Sequence, residues 1–402
     1  MLDQEPAISS FFSTLSESWQ DPVLRHWRWE RLRGRTKPVA ETQARPGDAV
    51  GIGTDLYLTG LAARDEDRIA KGLHQLLAGI EQGIGASGAT LEGSTLRQAQ
   101  LARLTGEAWL AARRAGRPEQ WRLASAARLI IGAYEALHLT GGLPEFGGKP
   151  EAMGAYGPFD NVDETDRQAL DELRRQAKLF DLEALRKDGW LRLDRGPWSG
   201  LWHCPPGGWP VFEGLAHHDL GAAELHWNGL PLFVDPGPSH RSAASHGGLT
   251  IDRQNPYPEN RGFYSDSFRR EAAGPAPELR ATHDGVKLAM DGFARFGGHR
   301  QMERYWRFDG ANLRIEDLIL GTGRPLIERR LLTPWLANRD EGGVILSHGG
   351  HQLRLAAEGT ITLQQTKRWN ERGDEMPLTR IVIAMRANLP WNGVTTLEPV
   401  SA

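Results

Sequence analysis

The chain of 402 residues has a single cysteine, no long apolar run and no excess of basic residues. Cys204 cannot form an internal disulfide, which indicates a reducing compartment. Without a run of about 18 apolar residues, no membrane-spanning helix is predicted. The N-terminus lacks the basic and apolar segments of a signal peptide, so we expect a cytoplasmic protein. A processed secreted protein with one thiol is the alternative.

The charge balance excludes one class of partner. The formal net charge is −3, so the chain lacks the basic excess of a typical nucleic-acid binder. We therefore expect no nucleic acid as a partner, and the lack of a long apolar run predicts no membrane partner either. Arginine strongly outnumbers lysine among the basic residues. The planar guanidinium suits bidentate binding of carboxylates and sulfates, although a high genomic GC content produces the same bias.

The first half of the chain has the spacing of amphipathic helices. From Ile69, leucine and isoleucine recur at i+4, i+7, i+8 and i+11, which places them on one helix face. Further helices are predicted over about 95–114, 119–139 and 164–185, and a helix with an extended arm over the first 45 residues. Short turns rich in glycine and proline favour antiparallel helix hairpins packed side by side.

After about Lys187 the pattern changes to short segments with apolar/polar alternation, which predict strands. Asn228-Gly229 is typical of a type I′ hairpin turn, and Asp309-Gly310 predicts a second turn. Regularly spaced hairpins favour an antiparallel β-sandwich. We therefore predict an α+β protein with two domains, an α-helical one over residues 1–187 and a β-sandwich over residues 188–402. The segments predicted as strands include DGWLRL, AAELHW, LPLFVD, GVKLAMDGFARF, RQMERYWRFDGANLRIEDLIL, GVILSH, HQLRLAA, GTITLQQT and TRIVIAM.

Histidine and aspartate residues concentrate around the Asn228-Gly229 hairpin. The hairpin brings His217 and Asp235 to the same end, and imidazole nitrogens with a carboxylate are zinc ligands. The spacing matches no compact metal motif, so ordinary loop residues are the alternative. The members of this group are His217, His218, Asp219, Asp235, His240, Arg241 and His246.

Three segments around this group read LAHHD, GLPLFVDPG and RSAASHGGLTIDRQ. They resemble the HxHxD, GxPLLVDPG and RSTxAHNTVxVDGxxQ stretches in the C-terminal domain of heparinase II/III-like polysaccharide lyases. The later stretch GGHRQMERYWRFDGANLRIEDLILGTG is similar to the strand pair that follows in that family. The resemblance covers residues 190–335 well and the helical half loosely.

The resemblance implies a structural zinc ion held by His217, Asp235 and His246, each matched to a zinc ligand of the family. It also implies a shortened, incomplete α/α toroid joined to the β-sandwich, and an acidic polysaccharide or oligosaccharide as the partner. The chain departs from the family pattern at two places in this region. Leu215 stands where the first histidine of HxHxD is expected, and Gly247 replaces the asparagine after the zinc-binding histidine.

The helical half departs from the family at its catalytic positions. The family's catalytic tyrosine falls on or near Leu101, the next histidine falls on Ala102, and residues 51–53 read Gly-Ile-Gly where asparagine and histidine are expected. β-Elimination from a uronic acid needs a neutralised carboxylate, a base for the C5 proton and an acid for the C4 oxygen. The residues that we consider as replacements are His218, Arg241 as a carboxylate clamp, and Tyr264, followed by Tyr156, Tyr257 and His203.

The leading hypothesis is a lyase that cleaves an acidic, uronate-containing polysaccharide or oligosaccharide by β-elimination. The alternative is a non-catalytic member that binds polysaccharide or assists its synthesis, motivated by the missing asparagine, histidine and tyrosine. A metal-assisted glycoside hydrolase is a third interpretation, and it would need an open zinc coordination position with a nearby general base.

Overall fold

The computed structural model describes residues 45–150, 163–177, 181–205, 215, 217–238, 240–257, 275–294, 301–369 and 375–400. In this part of the chain, six helices precede residue 188 and sixteen strands follow it. None of these helices is long and apolar enough to cross a membrane. Tyr156, Tyr264 and the predicted arm in the first 44 residues lie outside the described residues.

The helices lie close to their predicted positions. The helix predicted over 164–185 is two helices, because Asp181 begins a new one by accepting hydrogen bonds from the backbone N–H groups of Glu183 and Ala184. The helix predicted over 119–139 ends at Ala136. The helices are α1 (Pro46–Ala63), α2 (Glu66–Gly83), α3 (Thr95–Arg114), α4 (Gln120–Ala136), α5 (Glu164–Ala177) and α6 (Leu182–Lys187).

Helices α1 and α2 form a tightly packed antiparallel hairpin. The turn between them uses Arg64 in the left-handed region, with φ of 56°. A Cβ atom at Gly53 would overlap the backbone nitrogen of Leu76. Glycine at this position therefore allows the two helix backbones to approach closely.

All described strand pairs are antiparallel, and they form three sheets with the orders β1-β2-β3-β4, β14-β15-β10-β5 and β11-β12-β13-β16-β9-β8-β7-β6. The strands are β1 (Trp190–Arg195), β2 (Trp198–His203), β3 (Glu224–Trp227), β4 (Leu230–Phe233), β5 (Leu249–Ile251), β6 (Glu278–Ala281), β7 (Gly285–Met290), β8 (Met302–Asp309), β9 (Asn312–Ile319), β10 (Leu326–Thr333), β11 (Leu336–Asp340), β12 (Gly343–His348), β13 (His351–Ala357), β14 (Thr360–Trp369), β15 (Glu375–Arg386) and β16 (Trp391–Pro399).

One hydrophobic cluster receives side chains from all three sheets, among them Trp202, Trp306 and Ile381. The rings of Trp202 and Trp306 meet edge to face with centroids 5.7 Å apart. The chain therefore combines α-helices with packed antiparallel sheets. The more detailed description as an incomplete toroid and a β-sandwich stays a prediction, as does the division into domains at residue 187.

The two predicted hairpin turns are present. Asn228 and Gly229 both have positive φ, as a type I′ turn requires, and join β3 to β4. In the second hairpin Asp309 pairs with Asn312, so the turn residues are 310 and 311, one position later than predicted. Gly310 takes positive φ there, which favours glycine as the first residue of the turn.

Buried contacts join the helical part to the strands. The Asp188 carboxylate accepts hydrogen bonds from the backbone N–H and the hydroxyl of Ser87, at 2.7 and 2.6 Å. The backbone N–H of Gly141 donates to Nδ1 of His226 on β3, at 3.0 Å. The rings of Phe146 and Trp190 pack edge to face at 5.8 Å. These contacts connect the helices directly with the sheet that positions the candidate site.

Candidate metal centre

The β3–β4 hairpin and the loop after it bring His217, Asp235 and His246 together. Their ligand atoms all lie within 4.8 Å of one another, and all three residues are buried. Residue 217 precedes β3, residue 235 follows β4, and residue 246 precedes β5. The structure thus brings together the three residues that the sequence predicts as metal ligands.

His217 is buried with no hydrogen-bond partner on either ring nitrogen. Burial, followed by the charge of His246, lowers the pKa of His217 to about 3. The imidazole is therefore neutral near pH 7, which is the form that binds a metal ion. A buried imidazole without partners is costly unless a ligand such as a metal ion occupies one nitrogen.

His246 is fully buried between two hydrogen-bond acceptors. Its Nε2–H donates to the carbonyl oxygen of His240 at 3.0 Å, while Nδ1 lies 2.7 Å from Oδ2 of Asp235. Burial opposes the charged form, but the Asp235 carboxylate outweighs it and raises the pKa of His246. Because acceptors face both nitrogens, a proton or a metal cation must lie between Nδ1 and the carboxylate.

A buried network holds Asp235 in place. Oδ1 of Asp235 accepts from the N–H of Gly237 at 2.9 Å, and the N–H of Asp235 donates to Oε2 of Glu224 at 3.2 Å. Oε1 of Glu224 lies 3.6 Å from Nε2 of His226, whose Nδ1 faces the helical part at Gly141. Glu224 and His226 were not predicted from the sequence, although a carboxylate inside the apolar segment AAELHW is a signal of a buried polar role.

His218 and Arg241 lie beside the metal ligands. The N–H of His218 donates to the carbonyl oxygen of Arg241 at 3.0 Å, so their two segments are held together. Arg241 is exposed and His218 is half-buried. His240, from the same loop, has a pKa lowered by burial and then by the positive charge of Arg380.

A second buried histidine pairs with the aspartate of LAHHD. Nδ1 of His203 lies 3.2 Å from Oδ1 of Asp219, and the His203 ring packs on that of Trp190 with centroids 4.4 Å apart. Oδ2 of Asp219 is buried without a hydrogen-bond partner. Burial, followed by the charge of Asp219, raises the pKa of Cys204 to about 12, which makes this thiol a poor nucleophile.

The helical positions that the predicted alignment matches to the family's catalytic residues are filled by packing. Leu101 and Ala102 are both buried in the core of the helical part, and Gly53 lies at the close contact between α1 and α2. None of these three side chains can transfer a proton. Tyr257 is buried, and Leu215 is buried with its carbonyl oxygen accepting from Gly148 at 2.6 Å.

The donor set fits a zinc ion. Two imidazoles and one carboxylate are typical zinc ligands, and the His246 Nε2–H bond to a carbonyl fixes the tautomer whose Nδ1 faces the centre. His217 supplies a neutral nitrogen without another partner. Only these three form such a group among the described histidine, cysteine and carboxylate residues.

The comparisons with known proteins give one family match and several matches of fold. A family model described as heparinase II/III-like, C-terminal, matches residues 177–391. None of the curated proteins matches the sequence. Among solved structures, heparan sulfate lyase HepC from Pedobacter heparinus is 14% identical with a TM-score of 0.58, over 87% of this chain and 59% of that chain.

Two further structures, both heparinase III, support the fold. One is 13% identical with a TM-score of 0.61, over 99% of this chain and 76% of that chain. The other, the BT4657 gene product, is 12% identical with a TM-score of 0.60, over 87% of this chain and 59% of that chain. This chain thus spans 59% of the length of the HepC chain and 59% of the length of the BT4657 product. Because the family model covers more than half of the chain, this protein belongs to the heparinase II/III-like family.

Proposed function

We propose that this protein is a polysaccharide lyase that cleaves an acidic, uronate-containing polysaccharide or oligosaccharide by β-elimination. The observation that carries the proposal is the buried group of His217, Asp235 and His246, which lies inside the segment that the family model matches. Solved structures of similar fold include a heparan sulfate lyase, which supports an acidic polysaccharide as the substrate class.

The proposed zinc ion has a structural role. When bound, it neutralises the buried carboxylate and links the segment before β3 to the loop before β5. His217, Asp235 and His246 would hold it, and the network through Glu224 would fix the orientation of Asp235. The three residues thereby hold the loop that carries Arg241 beside the segment that carries His218.

The reaction also needs groups that contact the substrate. Arg241 is exposed on the metal-binding loop, and its guanidinium suits pairing with a uronate carboxylate. His218, whose backbone is bonded to that of Arg241, is the proposed base for the C5 proton. Tyr264, predicted only as a catalytic residue, is the proposed acid for the departing oxygen. These three assignments are proposals.

The lyase function is tested by incubating the purified protein with a panel of uronate polymers and following ultraviolet absorbance. Elimination creates an unsaturated uronate that absorbs, whereas hydrolysis creates only a new reducing end. We expect absorbance to rise with the wild-type protein on at least one polymer. The rate of this rise should be at least about 100-fold lower with H218A. A wild-type protein that binds these polymers without producing absorbance would contradict the proposal.

A specific observation favours the non-catalytic alternative. In the predicted alignment the family's tyrosine falls on or near Leu101 and its histidine on Ala102. Both residues are buried, so the helical part offers no proton-transfer group at these positions. Under this alternative the protein binds polysaccharide, or assists its synthesis, without cleaving it. Retained binding with no absorbance change, in the panel described above, would support it.

A further inference from the structure

The sheet β14-β15-β10-β5 has one face in the main core and a second face that carries arginine. Residues opposite one another in an antiparallel pair share a face. Leu332 is opposite Arg380, Arg380 is opposite Gln364, and Arg330 is opposite Val382. Arg368 lies on the same face as Gln364, four residues further along β14. We call Arg330, Arg380 and Arg368 the arginine stripe.

Within the described residues, only one of the three arginines of the stripe has an acidic partner. Arg330 is paired with Glu328 at 2.9 Å and bonded to Thr250 at 2.7 Å. By contrast, Nε of Arg380 and both Nε and Nη1 of Arg368 are buried without hydrogen-bond partners. Neither of these two arginines forms an ion pair within the described residues. Half-buried guanidinium groups without partners cost free energy that a bound anion would recover.

The electrostatic surroundings of Arg380 point in the same direction. Burial, followed by the positive charge of Arg330, lowers the pKa of Arg380. Burial also lowers the pKa of Arg330, although Glu328 opposes this. The two cations are diagonal neighbours on adjacent strands, at a Cα separation of about 7–8 Å. A second cation on the same face adds to the positive potential at Arg380, which favours a bound anion there.

The stripe adjoins the candidate metal centre. The N–H of Val234, next to the metal ligand Asp235, donates to the carbonyl of Leu332, which lies opposite Arg380. The N–H of Arg330 donates to the carbonyl of Gly248, two residues after His246. The metal-binding segments are therefore bonded to β10, the strand that carries Arg330 and borders the strand of Arg380.

We propose that the arginine stripe binds the sulfate or carboxylate groups of an acidic oligosaccharide that extends beyond the metal centre. The guanidinium fork matches both anions with paired hydrogen bonds. Arg380 is the central residue and Arg368 lies about 14 Å along the same face, so the stripe would contact more than one anionic group. The choice of an oligosaccharide rests on the proposed function, whereas the unpaired cations are a property of the sheet alone.

The test measures binding by isothermal titration calorimetry with three probes. They are a heparan sulfate oligosaccharide, an oligogalacturonate that carries only carboxylates, and neutral dextran. We expect R380Q and R368Q each to weaken binding of at least one acidic probe about tenfold, with no binding of dextran. The matched control is R128Q, which removes one exposed arginine from α4 and should change the dissociation constant less than twofold.

Thermal unfolding separates a binding role from a structural one. Because R380Q removes a charge without a partner, it should unfold at or above the temperature of the wild-type protein. The heparan sulfate probe should raise the unfolding temperature of the wild-type protein more than that of R380Q. A marked loss of stability in R380Q without ligand would assign the arginine a structural role and overturn the proposal.

The outcomes for the stripe and for the lyase function are distinguishable. Acidic probes that bind R380Q, R368Q and wild type equally, in a protein with lyase activity, would overturn the stripe alone. Binding that depends on Arg380, in a protein without activity on any polymer, would contradict the lyase function and support the stripe. The failure of both acidic probes to bind the wild-type protein would also overturn the stripe.

Discussion

At the scale of single residues, two buried groups have opposite chemistry. His217 has two ring nitrogens without partners and a neutral imidazole, so it can accept a metal ion without first losing a proton. Cys204 is also buried, but burial and Asp219 keep its thiol protonated. Burial thus keeps the His217 imidazole neutral and able to bind a metal ion, whereas it keeps the Cys204 thiol protonated and unreactive.

The substitution H217A should abolish metal binding, because it removes a ligand that His246 and Asp235 cannot replace. We expect about one zinc ion per chain in the wild-type protein and close to none in H217A, measured by elemental analysis after dialysis. The control is H74A, which removes an exposed histidine from α2 and should keep the metal. Equal metal content in all three proteins would reject the site.

The thiol of Cys204 should react very slowly with iodoacetamide in the folded protein. A pKa raised from 9.0 to about 12 lowers the thiolate fraction at pH 8 on the order of 10³-fold. The thiol stays protonated below the raised pKa, so the rate should climb only as the pH approaches about 12, and unfolding in urea should release the normal rate at pH 8. Because Cys204 is the only cysteine in the chain, the mass gained by the intact protein measures its alkylation directly by mass spectrometry. Rapid labelling of the native chain at pH 8 would contradict the prediction.

At the scale of elements, close backbone contacts explain why glycine stands at position 53, which the predicted alignment matches to a histidine of the family. Gly53 on α1 lies against the backbone of Leu76 on α2, and Gly72 on α2 lies equally close to the backbone of Tyr57. No rotamer change relieves a clash with backbone atoms. A histidine at position 53 is therefore incompatible with this helix pair, whatever its catalytic value.

The substitution G53A should destabilise the protein because its Cβ would separate α1 from α2. We expect a loss of about 2–3 kcal/mol in the free energy of unfolding, measured with urea. S125A, a change at an exposed position of α4, serves as the control and should lie within about 0.5 kcal/mol of wild type. A G53A protein with the same free energy of unfolding as wild type would contradict the prediction, because it would show that the two helices can move apart without loss of stability.

In strand β10, charged residues obscure the sequence pattern that predicts a strand. It reads LIERRLLT and lies between β15 and β5, but its three successive charged residues suppress the apolar alternation that predicts a strand. Arg329 lies on the core side and bonds to the carbonyl of Val394, whereas Glu328 and Arg330 pair on the other face. Long-range partners, which the sequence does not reveal, make this strand possible.

At the scale of the whole molecule, the helices and the sheets share a buried boundary. Phe146, Leu185, Trp190 and Leu201 belong to one hydrophobic cluster that draws on both parts. Asp188 lies at this boundary and accepts two hydrogen bonds from Ser87. His226 accepts a hydrogen bond from the helical part and so connects the boundary with the network that holds Asp235. The position of the candidate metal centre thus depends on contacts with the helical part.

The substitution D188A should weaken this boundary, since the buried N–H and hydroxyl of Ser87 would lose their acceptor. We expect a loss of about 1–3 kcal/mol in the free energy of unfolding, followed by circular dichroism in urea. D188N keeps one oxygen and should lose less. D194A, at an exposed position of β1, should change stability by less than about 0.5 kcal/mol. A D188A protein as stable as D194A would contradict the role of Asp188.

The sequence by itself determined the features that depend on local pattern. Periodicity predicted α2 and α3, the Asn228-Gly229 signal predicted the hairpin, and the motif segments selected His217, Asp235 and His246. Only the tertiary structure decided how those ligands are supported and what surrounds them. The role of Glu224, the pairing of His203 with Asp219 and the unpaired charge of Arg380 arise from residues distant in sequence. Burial and electrostatic partners depend on the packing of distant segments, and local sequence does not encode that packing directly.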